Sequence, residues 1–441
     1  MKRLMVILGL LVLVAGLVAA GGQQEAEDVK ESAKAGEEIE LTYWSHYGQS
    51  PDFVQAFADT ANELLPEIGY PNVTVKAEVI EYQGFEVKYL SAFASGKGPD
   101  MFCGMAPVWA GKHEVAAPLP EDVASEWDSK LADYLKEWGT WDGERYGFAA
   151  EGIIQFLYIN VDHFKEAGLD PNDPPQTVDE FIDAAQKLTK RDDDGNIVRA
   201  GYAPRHVGHG FGVADKFMPI LHIFGGRMLN EDLNQADGYI NSADSVAAFQ
   251  FYQDLVEKYE VVNLDFGKPE PTFQRGQASM IFREGWFGAD TKINAPDINF
   301  KVYPYITGKR SYAPSNLLPW ANMINKNSPY KDICYDLFKA MCSVEADVML
   351  HDPAYPGPAG YPPILEDTYT MDNEYFSGLS YANALKESLK KPVGPSYFFP
   401  EIQDVAYIVG EEMVSCLHGT PAKEAADKAA ERIDEVLAGM D

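Results

Sequence analysis

Trp44, Trp109, Trp286 and Trp320 are the side chains whose placement first suggests chemistry. Each stands among residues that turn or charge a chain: Trp44 in YWSHYG, Trp109 in APVWAG, Trp286 in FREGWFGAD and Trp320 in LLPWAN. Tryptophan is a large amphipathic plate that is usually half-buried or more. At the end of a strand it offers a flat apolar surface and one N–H donor. That surface suits the apolar C–H face of a pyranose ring, while Asp, Glu, Asn, Gln and Arg nearby take the hydroxyl rim. Ordinary core packing is the competing reading for each ring, and loop placement weighs against it most for Trp44 and Trp286. Trp286 lies between Gly285 and Gly288, with Arg283, Glu284 and Asp290 close by. The two glycines are expected to let the backbone turn sharply in a loop there.

Motifs for catalysis are missing from the sequence. No G-x-S-x-G, P-loop or H-E-x-x-H occurs. His206 and His209 form an H-x-x-H within RHVGHGFG, and the glycines around them read as loop, not as a metal site. RDDDGN (191–196) superficially resembles a calcium loop, but Ile197 stands where an EF-hand beginning at Asp192 needs glycine. With 68 Asp and Glu residues, a glycosidase pair is not excluded by counting, and nothing selects one. No catalytic residue, metal or cofactor is expected.

The elements that would position the tryptophans follow from periodicity. Residues 39–47 alternate as a strand, 52–65 carry a helical apolar stripe, and 72–81 form a valine-rich strand. A helix over 84–95 stops at Gly96, and GKGPDMFCGM gives a turn and a short buried strand from Asp100 to Cys103. This β-α-β-α-β order predicts a parallel sheet with helices on its faces, whose ligands bind beyond the carboxyl ends of the strands. Farther on, 146–160 reads as one long strand. Residues 174–190 read as a helix opened by a Thr177–Glu180 capping box, and Asp194-Gly195 as a hairpin turn. Helices over 243–259 and 328–350, strands over 278–282 and 299–306, and a proline-rich loop at 351–364 come next. Thr420 and Pro421 are expected to open a last helix.

At 441 residues, two domains are the natural expectation. Lys2 and Arg3, the apolar run 4–18 and Val18-x-Ala20 read as a signal peptide over 1–20, cleaved near Ala20. The first cysteine is Cys103, so no lipid-anchor cysteine follows the signal. Residues 21–37 read as a flexible leader. The net charge is −32, or −34 without Lys2 and Arg3, which repels nucleic acid and anionic membranes. Cys334 and Cys342 sit about 12 Å apart along a helix, too far to bridge. With Cys103 and Cys416, they are expected to be buried free thiols.

Several blocks then show a resemblance. ELTYWSHYG, GKGPDMFCG, YGFAAEGIIQFLYINVDHFKEAGLDPNDPPQTVDEF, FQRGQASMIFREGW, SNLLPWANMINKNSP and GTPAKEAADKAAERID run along the chain in one order. They are similar to the extracellular solute-binding proteins of carbohydrate ABC importers, the family of maltose-binding protein. The resemblance implies an α/β fold of the periplasmic-binding-protein type, with two lobes closing over a ligand cleft by hinge motion. It implies an N-terminal lobe at 38–152 plus 302–350 and a C-terminal lobe at 153–301 plus 351–441. By segment it implies ligand contacts from Trp44, Ser45, His46, Met105, Trp109, Glu151, Trp286, Trp320, Phe398 and Phe399. The implied partners are a mono- or oligosaccharide and ABC permease subunits, with no nucleic acid, the protein acting as a periplasmic or extracellular monomer. MAPVWAG replaces the charged residues that follow the corresponding strand in maltose-binding protein, so a sugar other than maltose is expected. A polyol, a glycerol phosphoester or a polyamine is the alternative ligand, and a secreted glycoside hydrolase or an adhesion module the alternative class.

Overall fold

The computed structural model describes residues 30–34, 36–46, 51–81, 84–105, 107–208, 210–315, 317, 320–351, 361–370, 374–394 and 397–439. The signal segment and its cleavage site lie outside these residues. Among the described residues there are two five-stranded sheets and a two-stranded ribbon. In chain order the strands of the larger sheets are β1 Ile39–Ser45, β2 Val73–Val79, β3 Met101–Met105, β4 Gly147–Ala149, β5 Gln155–Asn160, β6 Lys190–Arg191, β7 Ile197–Tyr202, β8 Ala278–Glu284, β9 Phe300–Pro304 and β10 Ala321–Ile324. The chain divides into two compact units. The first holds the described residues of Met1–Ala150, Trp320–His351 and Pro363–Thr370; the second holds those of Glu151–Pro319, Asp352–Pro362 and Met371–Asp441.

The sheet of the first unit has the order β2-β1-β3-β10-β4. β1 runs parallel to both β2 and β3, as the β-α-β-α-β alternation predicts, and β10 runs antiparallel to β3 and β4. Ile39, Leu41 and Tyr43 of β1 point into the core. The Tyr43 ring stacks at 3.8 Å on Phe57 of the helix Pro51–Glu67, and its hydroxyl donates to Asn322 Oδ1 at 2.8 Å. Asp100 fastens the GKGPD turn to β1, accepting from the Thr42 amide at 2.8 Å and the Thr42 hydroxyl at 2.9 Å. A second aromatic core joins Trp127 and Phe148, stacked at 4.1 Å, to Phe338.

In the second unit the order is β9-β5-β8-β7-β6. β5 lies antiparallel to β8 and β9, and β8 lies parallel to β7. β5 and β8 are buried along their whole length, so both faces of the sheet's centre are covered. The Thr177–Glu180 capping box is present in both directions at the start of the helix Val178–Leu188. Gly195 turns the chain with φ of 87°, and β6 pairs antiparallel with β7 across that turn. All four cysteines are buried free thiols.

Several expectations need correction. Residues 30–34, read as flexible leader, form a helical turn: Ala33 is fully buried, and Lys30 pairs with Asp336 at 2.6 Å. The strand read over 146–160 is two strands, β4 and β5, in different units, with the break at Ala150 and Glu151. The return to the first unit comes at Trp320, not near 302, because β9 pairs with β5 and stays in the second sheet. Residues 363–370 also join the first unit, where Asp347 binds them. The helix over 328–350 is two, Lys331–Met341 and Val344–His351. Thr420 does not cap the last helix, Ala422–Ala438; its hydroxyl pairs with that of Ser415 at 2.6 Å.

Candidate functional site

In the first unit the predicted residues gather at the carboxyl end of β1. Trp44 is the last residue but one of β1, and His46 follows the strand's end. The helix Phe85–Ala94 meets them with Phe85 and Tyr89, one turn apart. The His46 ring stacks on Phe85 at 4.8 Å and lies 4.5 Å from Trp320. Phe85 meets Trp320 edge-on at 6.0 Å. Trp44 is half-buried, edge-on to Tyr89 at 5.9 Å, with Lys88 Nζ 5.0 Å from its ring centroid. Gly104, at φ of 117°, brings β3 against His46: a Cβ there would sit 2.4 Å from Nδ1. Burial pushes the His46 imidazole down to about 3, so it is neutral at any working pH.

The other predicted residues of this unit are placed differently. Ser45 is fully buried and Trp320 is 9% exposed, so both belong to the packed wall. Met105 ends β3, opposite Ala321. Trp109 lies in the short helix Pro107–Lys112 and packs on His113, with ring centroids 4.5 Å apart. Phe85 and Tyr89 were not anticipated; their i, i+4 spacing in FEVKYL was the available signal.

In the second unit the site is built on β8. FREGWFGAD is not a loop. Arg283 and Glu284 complete β8, and Trp286 is the first residue of the helix Trp286–Asn294. Gly285 has helical angles, φ −57° and ψ −38°, so no sharp turn needs it. The glycines serve close packing instead. A Cβ on Gly285 would stand 2.8 Å from the Tyr381 ring, and one on Gly288 would stand 2.2 Å from Ser380 Oγ. The Tyr158 hydroxyl lies 2.8 Å from the carbonyl oxygen of Glu284 and 3.2 Å from that of Gly285, pinning the junction.

Beside half-buried Trp286 runs a chain of buried and half-buried charges. Arg283 Nη2 is 2.7 Å from Glu270 Oε1, and its Nη1 is 3.4 Å from Glu284 Oε2. Glu284 Oε1 is 2.5 Å from Lys216 Nζ, and Lys216 also pairs with Asp215. Asp215 Oδ1 accepts from the Leu317 amide at 2.7 Å, and its carbonyl accepts from Gln155 Nε2 at 3.0 Å. Arg205 Nη1 reaches Glu270 at 3.9 Å. Burial alone would raise the Glu284 carboxyl, but the Arg283 and Lys216 cations outweigh it and hold it at about 2. Burial would likewise raise Glu270, and Arg283 and Arg205 bring it below the usual range. Three basic side chains, Arg205, Lys216 and Arg283, thus face three acidic ones, Asp215, Glu270 and Glu284.

Glu151 is 2% exposed at the entry to β5. Phe399 is buried and Phe398 half-buried, just before the helix Ile402–Leu417. His206 is buried with its ring nitrogens 3.1 and 2.9 Å from the carbonyl oxygens of Pro204 and Leu264, while His209 lies outside the described residues. Among the described residues no group of three His, Cys, Asp or Glu could hold a metal ion, and no helix is long and apolar enough to cross a membrane. Asp215, Lys216 and Glu270 were missed. Two adjacent charges inside the apolar helix GFGVADKFMPILHI were the signal for the first two.

Trp44 thus stands near the carboxyl end of β1 in the first unit, and Trp286 just beyond β8 in the second. The chain belongs to the bacterial extracellular solute-binding protein family, whose model matches residues 47–348. It is 23% identical over 310 residues to the diacetylchitobiose binding protein DasA of Streptomyces coelicolor, covering 67% of each chain. A solute-binding protein of an ABC transporter from Thermotoga lettingae, solved with alpha-D-tagatose, superimposes with a TM-score of 0.76 at 21% identity, over 91% of this chain and 100% of that one. The substrate-binding protein Lmo0181 of Listeria monocytogenes, solved with cycloalternan, gives 0.75 at 20% identity, over the same shares. These likenesses show the fold to be that of the two-lobed solute-binding proteins. The family is one of transport proteins, not of enzymes.

Proposed function

We propose that this chain is the binding component of an ABC importer for a neutral mono- or oligosaccharide, which it delivers to the permease subunits in the membrane. The observation that carries the reading is Trp286: a half-buried indole, fixed at the end of a buried strand, beside charges that already balance one another. A sugar's C–H face stacks on the ring, and its hydroxyls need dipoles and not a net charge. Glycerol phosphoesters and polyamines need an uncompensated charge of the opposite sign. The Arg283 guanidinium lies 4.9 Å from the Trp286 centroid and lowers the ring's attraction for a cation, which further disfavours a polyamine. Over the longest matches the names agree with a sugar: DasA is a diacetylchitobiose binding protein, and the two solved structures carry a monosaccharide and an oligosaccharide, while shorter matches over 161 residues are to sn-glycerol-3-phosphate-binding proteins of Brucella.

In the first unit Trp44 and His46 are proposed ligand contacts, framed by Ser45, Trp109 and Trp320; in the second unit Glu151, Trp286, Phe398 and Phe399 are proposed contacts. Export follows from the N-terminal segment: the chain is proposed to be periplasmic or extracellular, cut near Ala20, and monomeric. Mass spectrometry of secreted protein tests the cut, and a mature N-terminus at Met1 would rule it out. Co-purification with the cognate permease tests the importer role. Failure to couple with ligand and without it would count against that role.

A further inference from the structure

We propose that Arg283 is a positioning residue for Trp286: its guanidinium backs one face of the indole and fixes the plane on which the ligand stacks. The role in binding rests on the reading of Trp286 as a stacking ring. The physical claim about the ring holds whether or not a ligand is known.

β8 reads ASMIFRE, uncharged until its last two residues, and both charged side chains are buried, Arg283 at 4% exposure. A buried ion pair is weak as a source of stability, because well-packed apolar residues of similar size do as well or better. The arginine therefore calls for another explanation, and its surroundings supply one. Glu270 and Glu284 hold the guanidinium from two sides, at 2.7 and 3.4 Å, and Glu284 is itself held by Lys216. A planar cation fixed in this way is rigid, and arginine can lay a plane against an aromatic face where lysine offers only a point charge. Its central carbon lies 4.9 Å from the Trp286 centroid. The edge-on contact with Phe287, at 6.0 Å and 85°, gives a second support. The main chain below is pinned by Tyr158 and by the tight approach of Ser380 and Tyr381 to Gly288 and Gly285. With the backbone fixed, the freedom left to Trp286 is side-chain rotation, and Arg283 removes it.

The test uses the exported chain labelled with 5-fluorotryptophan and read by fluorine NMR, with the Trp286 resonance assigned by its loss in Trp286→Phe. In Arg283→Met that resonance is expected to shift and broaden, while the resonances of the other six tryptophans stay in place. Arg283→Lys should restore it only in part. Glu270→Gln keeps the arginine but loosens its anchor, and should give a smaller shift; it also serves if Arg283→Met does not fold. In parallel, wild type and variants are titrated with maltose, mannobiose, diacetylchitobiose and ribitol. Affinity for whichever probe the wild type binds should fall roughly 3- to 30-fold in Arg283→Met. A sharp, unmoved Trp286 signal in both Arg283→Met and Glu270→Gln overturns the proposal even if a sugar binds. A moved signal with no sugar bound by the wild type upholds the positioning role and overturns the ligand reading instead.

Discussion

Arg283 and Trp286 stand three residues apart, one the last residue but one of a strand and the other opening a helix, with the guanidinium carbon 4.9 Å from the indole centroid. That spacing brings a buried cation and a half-buried aromatic plate to one point. It accounts for the charged residues around the tryptophan, which are paired with one another.

The glycines of that stretch act through space and not through conformational freedom. Gly288→Ala places a Cβ 2.2 Å from Ser380 Oγ and should cost about 1–3 kcal/mol in urea unfolding. Ser380 Cβ lies at 3.5 Å, an ordinary contact, so Gly288→Ala with Ser380→Ala should recover most of the loss. No recovery in the double variant would show that the conformation of Gly288, and not its closeness to Ser380, is what matters.

Asp347 is 1% exposed and joins two segments of the first unit, its own helix and residues 363–370. It accepts from the amides of Ile364 and Leu365, each at 3.0 Å, and from the Thr368 hydroxyl at 2.6 Å, with His351 Nδ1 at 3.1 Å. Asp347→Asn turns an acceptor into a donor that faces donors. It should destabilise by about 2–4 kcal/mol, and Thr368→Val by about 1 kcal/mol. Denaturant midpoints check both, and an Asp347→Asn protein as stable as wild type would contradict the geometry.

Two buried imidazoles set an acid response. His46 and His222 are both pushed down to about 3, first by burial, with Arg310 and Arg227 adding to the effect at His222. In the unfolded chain each titrates near 6.5, so below that pH the unfolded state binds protons that the native state refuses. The stability they contribute is complete above pH 6.5 and is lost as the pH falls toward 3, at about 1.4 kcal/mol per pH unit for each imidazole. His351 runs the other way. Burial would lower it, but Asp347 raises it above 6.5 overall, so its contribution is present below 6.5 and lost as the pH rises through the raised value. Unfolding midpoints between pH 6.5 and 5 should fall, and His46→Leu should flatten the slope by about one proton. A slope unchanged in that variant would mean His46 is protonated in the native state.

The parallel part of the first sheet, β1 to β3, was legible because its strands and helices alternate with clean periods; β10, four residues that pair with β3 and β4, was not anticipated. The capping box at Thr177 and the turn at Gly195 were legible for the same reason: each is set by local chemistry. The break at Ala150 and Glu151 was not, since an unbroken apolar run does not say which sheet it joins. β9 was assigned to the wrong unit because its partner, β5, lies 140 residues earlier in the chain. At the site, the aromatic rings could be picked out one at a time. The ion chain could not, because Glu270, Lys216 and Glu284 become neighbours only when three separate elements pack.

The most direct test of the account is tryptophan fluorescence of the exported chain, titrated with neutral sugars and polyols and, as controls, with glycerol 3-phosphate and spermidine. The account predicts a saturable shift with one class of neutral sugar. It also predicts an affinity loss of roughly 10- to 150-fold in Trp286→Ala, from about 1.5–3 kcal/mol of lost apolar burial. A saturable response to spermidine or glycerol 3-phosphate with none to any neutral sugar would contradict it, as would a Trp286→Ala protein that binds its sugar as tightly as the parent.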